Sequence, residues 1–176
     1  MSATPPVLLV VDVQKGFAEL EYWGNRNNPE CEANIAALIE AWQARGHPIV
    51  VVHHQSTEPR SPLRPELPGN ALMDFVPDDP ALLVTKSVNS AFYGTPDLDG
   101  WLRSIDATMV VVCGLTTSHC CETTARMAGN LGYHTFFAID ATHTYDMTDL
   151  DGNAVSADEL ARVTATNLHG EFATVV

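Results

Sequence analysis

The sequence predicts an α/β three-layer sandwich around a mostly parallel six-stranded sheet, and three observations carry that prediction. Short β-branched apolar runs recur along the chain, each too brief for a helix. Longer stretches with apolar residues at helical spacing separate them. Strands that alternate with helices pair in parallel through right-handed crossovers, which places helices on both faces of one sheet.

Val7 to Val11 is a continuous apolar run and reads as a buried first strand. Asn34 to Arg45 sets Ile35, Leu38, Ile39 and Trp42 on one helical face, with Gly46 as its C-terminal stop. Ile49 to Val52 is the second strand. Gln55 to Pro80, rich in Pro, Arg and Asp, reads as a long loop. Leu82 to Thr85 is the third strand, followed by a turn through Gly94 and a short helix from Leu98 to Ser104. Met109 to Cys113 is the fourth strand, Cys120 to Leu131 a helix and Thr135 to Ile139 the fifth strand. Asp140 to Asn153 reads as irregular, Ala157 to Leu168 as a helix and Phe172 to Val176 as the last strand. No repeat, linker or low-complexity tract divides residues 1–176, so one domain is expected.

Twenty-two acidic residues against nine basic ones give a formal charge of −13. Such a surface repels phosphate backbones and anionic lipid, so a small molecule is the expected partner rather than nucleic acid or membrane. The N-terminus lacks a signal-peptide layout, and no apolar stretch reaches membrane length, so a cytoplasmic protein is expected. Cys31, Cys113, Cys120 and Cys121 form no CxxC motif and are expected to be free thiols.

In an open parallel sheet, ligands bind beyond the carboxyl ends of the strands, where the strand order reverses. Asp12 follows the first strand, His53-His54-Gln55 closes the second, Lys86 follows the third, and a turn leading to Cys120 follows the fourth. A carboxylate, an ammonium and a thiol thus collect at one edge. With Thr117 or Ser118 as an N-cap, Cys120 falls in the first helical turn, where the dipole and free N–H groups lower a thiol pKa. Lys86, one of two lysines, lowers it further if it lies alongside, or is a surface lysine if it does not. Asp12 reads equally as a base for the thiol or as a cap. Cys113 and Cys121 read as small buried hydrophobes.

Three segments resemble the isochorismatase-like cysteine hydrolases, the superfamily that includes nicotinamidases and N-carbamoylsarcosine amidase. They are Leu8-Leu9-Val10-Val11-Asp12-Val13-Gln14-Lys15-Gly16-Phe17, Lys86-Ser87-Val88-Asn89-Ser90-Ala91-Phe92-Tyr93-Gly94-Thr95, and Val112-Cys113-Gly114-Leu115-Thr116-Thr117-Ser118-His119-Cys120-Cys121-Glu122-Thr123-Thr124-Ala125. The resemblance implies a sheet order of 3-2-1-4-5-6, a catalytic Asp12, Lys86 and Cys120, and a cis peptide at Leu115–Thr116. It also implies an oxyanion hole from the Thr116 and Cys120 amides, and assembly as a homo-oligomer.

Ser118 stands where many members have Asp, and Cys121 where many have Val. The nicotinamidase Asp-x-His metal motif is replaced by His53-His54-Gln55, and no histidine spacing supports zinc, so no metal and no cofactor are expected. The thiol directs the reading toward a C–N amidohydrolase acting on an amide, ureide or lactam through a thioester. Phe17, Trp23, Tyr93 and His119 are the expected pocket wall, because they flank the three motifs. The alternative is a thiol redox or small-molecule binding module using the vicinal Cys120-Cys121 pair. The segment Leu168-His169-Gly170-Glu171-Phe172 has no place in this chemistry, and an interface is one use for it.

Overall fold

In the computed structural model, which describes residues 4–176, the strands are β1 (Val7–Val11), β2 (Ile49–His54), β3 (Leu82–Lys86), β4 (Met109–Leu115), β5 (His134–His143), β6 (Met147–Thr148), β7 (Ala154–Val155) and β8 (Thr174–Val175). Six of them form one parallel sheet in the order β3-β2-β1-β4-β5-β8, and β6 and β7 form a separate antiparallel hairpin. The sheet order is the expected 3-2-1-4-5-6, with β8 as its sixth member. The helices are α1 (Leu20–Trp23), α2 (Cys31–Gln43), α3 (Leu98–Ser104), α4 (Glu122–Asn130) and α5 (Ala157–Leu168).

The period of two along β1 sorts the core into two layers. Val7, Leu9 and Val11 pack with Leu98 and Leu102 of α3, Ala125 and Ala128 of α4 and Leu168 of α5. Leu8 and Val10 face the other way, against Cys31, Ile35 and Ile39 of α2. All five β1 residues are fully buried, which is why the strand reads as apolar throughout rather than alternating. No helix among the described residues is long and apolar enough to cross a membrane.

Three differences from the sequence reading have local causes. Helix α2 starts at Cys31, three residues early, because Arg26 grips Glu32 in its first turn at 2.6 Å through both nitrogens. Strand β5 runs on to His143: the Asn28 and Asn34 amides each donate to the Asp140 carbonyl at 2.7 Å, and a register shift between Val112 and Gly114 keeps β4 paired to it. The His169-Gly170-Glu171 segment is a connecting turn, which the sequence reading leaves undescribed. There the Val175 amide donates to His169 Nδ1 at 3.1 Å, and Gly170 takes a φ of 86° to bring α5 back to β8.

At the point where β1 and β4 part, Gly114 has a φ of 121°, and any Cβ there would overlap the Val11 backbone. Gly114→Ala is therefore expected to destabilise the fold by about 3 kcal/mol or more. Chemical denaturation of the variant checks this; an unchanged midpoint would contradict it.

Candidate active site

The order reverses between β1 and β4, and the carboxyl ends of β1, β2, β3 and β4 converge there. Asp12 closes β1 with a φ of 51°, a left-handed conformation that Asp tolerates better than most residues. That turn aims its side chain at Lys86 from the end of β3, two strands away. Adjacent strands lie about 4.8 Å apart, so only a long side chain spans that gap. Lysine does: its Nζ donates to Asp12 Oδ2 at 2.6 Å, and both side chains are fully buried. On β2, His54 stands opposite Lys86 in register, and its Nδ1 accepts from the same ammonium at 3.1 Å. Cys120 Sγ is the third acceptor, at 3.5 Å.

The other oxygen of the carboxylate, Asp12 Oδ1, is buried without a hydrogen-bond partner among the described residues. A buried acceptor left unpaired costs about 1–3 kcal/mol, and the neighbour that couples to this carboxylate is the Cys120 thiol. Asp12, His54 and Cys120 offer donor atoms within 4.8 Å of one another, a spacing that suits a metal ion. The Lys86 ammonium already touches all three side chains, however, and the cluster does not fit a second cation beside it. His53 is committed elsewhere, its Nε2 donating to the Asn70 carbonyl at 2.8 Å.

Cys120 sits in a π-type turn, Thr117–Cys121, that runs into α4. The Thr116 carbonyl accepts from the amides of His119 and Cys121, both at 3.2 Å. The expected Thr117 or Ser118 cap does not form. Those hydroxyls instead meet Thr142 Oγ1 at 2.8 Å and Thr144 Oγ1 at 3.0 Å, which tie the turn to the end of β5. The Leu115–Thr116 peptide that leads into the turn is cis.

The electrostatics also differ from the sequence reading. Burial and the adjacent Asp12 carboxylate push the Cys120 thiol up, and the pull of Lys86 only partly offsets them. A helical turn and one ammonium do not lower the pKa of a thiol that is out of water and beside a carboxylate. Burial draws Lys86 down, but the Asp12 carboxylate and the Cys120 sulfur outweigh it and leave the ammonium raised. Burial and Lys86 hold His54 below the usual imidazole range. These directions favour a protonated Cys120 thiol and a neutral His54 imidazole around the Lys86–Asp12 contact.

A cavity of about 150 Å³ opens over the sulfur, lined by Asp12, Phe17, Trp23, His54, Leu63, Asn89, Thr116, His119 and Cys120. Phe17 and Trp23 stack at 4.9 Å, and Trp23 stacks in turn on Tyr145 at 5.4 Å. His119 is exposed and lines the same cavity, its Nδ1 3.3 Å from Thr116 Oγ1. Tyr93 is not part of this wall. It ends a short helical turn, Ala91–Tyr93, that buries Ala91 and leaves the tyrosine 72% exposed.

Asn89, His54 and Leu63 line the cavity, although the sequence pattern does not mark them as its wall. Leu63 arrives on the 55–80 loop, which is pinned over β1 and β2 by two buried amides. Gln14 Nε2 donates to the Asn70 carbonyl at 2.8 Å, and Asn70 Nδ2 to the Leu63 carbonyl at 2.7 Å. Cys121 is fully buried in the helix-side core and does not line the cavity.

The protein-family profile described as Isochorismatase domain matches residues 6–167 of this chain. The isochorismatase family protein YrdC of Bacillus subtilis (strain 168) is 40% identical over 170 residues, which cover 96% of this chain and 90% of the relative. Nicotinamidase 3 of Arabidopsis thaliana is 29% identical over 183 residues, covering 96% of this chain and 83% of the relative. A crystal structure from the isochorismatase family of Chromobacterium violaceum ATCC 12472 is 41% identical with a TM-score of 0.92, covering 100% of this chain and 91% of that one.

Proposed function

The chain belongs to the isochorismatase family, and from that premise we propose that it hydrolyses a C–N bond of a small amide, ureide or lactam through a thioester on Cys120. The observation that carries this reading is the unpartnered Asp12 Oδ1 beside Cys120, at the floor of a cavity and backed by Lys86. The amide-directed chemistry in the name of the plant nicotinamidase supports the bond type.

In this mechanism the thiol proton passes to Asp12 Oδ1 as sulfur bonds to the substrate carbonyl carbon. The raised thiol pKa does not oppose this step. A thiolate added to the Asp12 carboxylate would bury an extra negative charge, whereas moving the proton between them leaves the summed charge of the cluster unchanged. The amides of Thr116 and Cys120 hold the developing oxyanion. When the tetrahedral species collapses, the C–N bond breaks and Asp12 returns the proton to the leaving nitrogen. Asp12 then takes a proton from water, whose oxygen attacks the thioester carbon. Breaking the C–S bond releases the acid, and the sulfur recovers its proton from Asp12. Throughout, Lys86 keeps Asp12 in place and offsets charge on sulfur.

Exposed Leu20, Tyr22, Val88 and Tyr93, on segments that flank the cavity, support a homo-oligomer. A cytoplasmic setting, which keeps all four thiols reduced, completes the proposal.

Ammonia or amine release from a panel of small amides, ureides and lactams tests the reaction class. Turnover on that panel that disappears in Cys120→Ala is the expected result. Undiminished turnover in Cys120→Ala, or cleavage confined to vinyl ethers, would overturn it.

A further inference from the structure

The cavity over Cys120 has an apolar side and a charged border. Phe17, Trp23 and Leu63 form its apolar side, and no lysine or arginine is among the described residues that line it. The Lys86 ammonium beside Cys120 has three N–H donors and three acceptors around it: Asp12 Oδ2 at 2.6 Å, His54 Nδ1 at 3.1 Å and Cys120 Sγ at 3.5 Å. None remains for a ligand. The charged group that borders the cavity is Asp12, whose Oδ1 has no hydrogen-bond partner among the described residues. A carboxylate entering here would meet a carboxylate oxygen, in confined and partly apolar surroundings, with no counter-ion.

His54 supplies the complementary feature. An ammonium can only donate, so His54 Nδ1 is the acceptor of that contact and the ring proton sits on Nε2. This leaves a neutral N–H donor on the ring edge turned from Lys86, in a side chain that lines the cavity.

We infer that the substrate is a compact amide or ureide without negative charge, that His54 Nε2–H binds one of its acceptor atoms, and that amides carrying a carboxylate are excluded. This rests on the reading of Cys120 as the nucleophile and extends it to the substrate class.

Two alkylating agents of nearly the same size, iodoacetamide and iodoacetate, test the inference without knowledge of the substrate. Both need the same thiolate, so the cost of ionising Cys120 cancels in their ratio. At pH 8, where ordinary imidazoles are neutral, the iodoacetamide-to-iodoacetate rate ratio at Cys120 should exceed the ratio for free cysteine by about tenfold or more. In His54→Leu, which removes the donor, that advantage should fall by about threefold or more, and His54→Gln, which retains an N–H donor, should keep most of it. A wild-type ratio equal to or below that of free cysteine overturns the inference. If Cys120 is acylated during turnover yet alkylates without regard to charge, this inference alone fails. If no acyl group ever reaches Cys120, the nucleophile reading itself fails.

Discussion

Asp12→Asn should make Cys120 more reactive toward iodoacetamide at pH 7 while it lowers turnover. The two effects have opposite signs because Asp12 plays two electrostatic parts. As a carboxylate beside the thiol it raises the Cys120 pKa, and Lys86 lowers it. With the carboxylate gone, the thiolate becomes the natural partner of the Lys86 ammonium 3.5 Å away. The pKa falls, the thiolate fraction at pH 7 grows, and alkylation should accelerate about tenfold or more. The proposed mechanism uses the carboxylate as proton carrier to the leaving nitrogen and from water, so kcat/KM should fall about 10³-fold. Parallel alkylation and steady-state measurements on one preparation check both signs. Normal turnover in the variant would remove Asp12 from the mechanism.

Lys86→Met should be the most destabilising single change at the site, and most of the loss should be recovered in the double variant Lys86→Met/Asp12→Asn. The single change leaves a fully buried carboxylate without its cation, which costs about 3–5 kcal/mol. Asparagine in the second variant removes that charge and still suits the left-handed backbone at position 12. Stability should return, whereas activity should not, because neither variant keeps the Lys86–Asp12 pair to which the proposed mechanism assigns proton transfer. Denaturation midpoints of the two variants, measured beside their kcat/KM, separate the structural from the chemical role. Equal destabilisation in both would mean that the ion pair contributes little beyond the space it fills.

Much of this site is legible in the sequence, because strands fix the direction of the residues at their carboxyl ends. The apolar run Val7–Val11 ends at Asp12 with no ambiguity, and Lys86 ends β3 in the same way. Residues several positions beyond a strand end are harder to place. Tyr93 lies seven residues beyond Lys86 and turns outward, while Asn89, in the same motif, reaches the sulfur at 3.8 Å. Leu63 belongs to a loop whose path depends on buried amide contacts made by Gln14 and Asn70, to which no periodicity points.

His54 is the instructive case. Its place at the carboxyl end of β2, between β1 and β3, puts it under any side chain that spans from Lys86 to Asp12. The sheet order contains that consequence, but the missing metal motif draws attention away from it. The thiol pKa could not be read from the sequence either, because its sign depends on how completely Cys120 is buried and on which neighbour lies closer.

A covalent bond between substrate and Cys120 is the step on which the proposed chemistry turns, and trapping that bond is the decisive measurement. Enzyme quenched with acid during turnover of a small amide should carry the acyl mass on the peptide that contains Cys120, and hydroxylamine should remove it. Sustained turnover with no adduct on that peptide, and equal turnover by Cys120→Ala, would contradict covalent catalysis by this thiol.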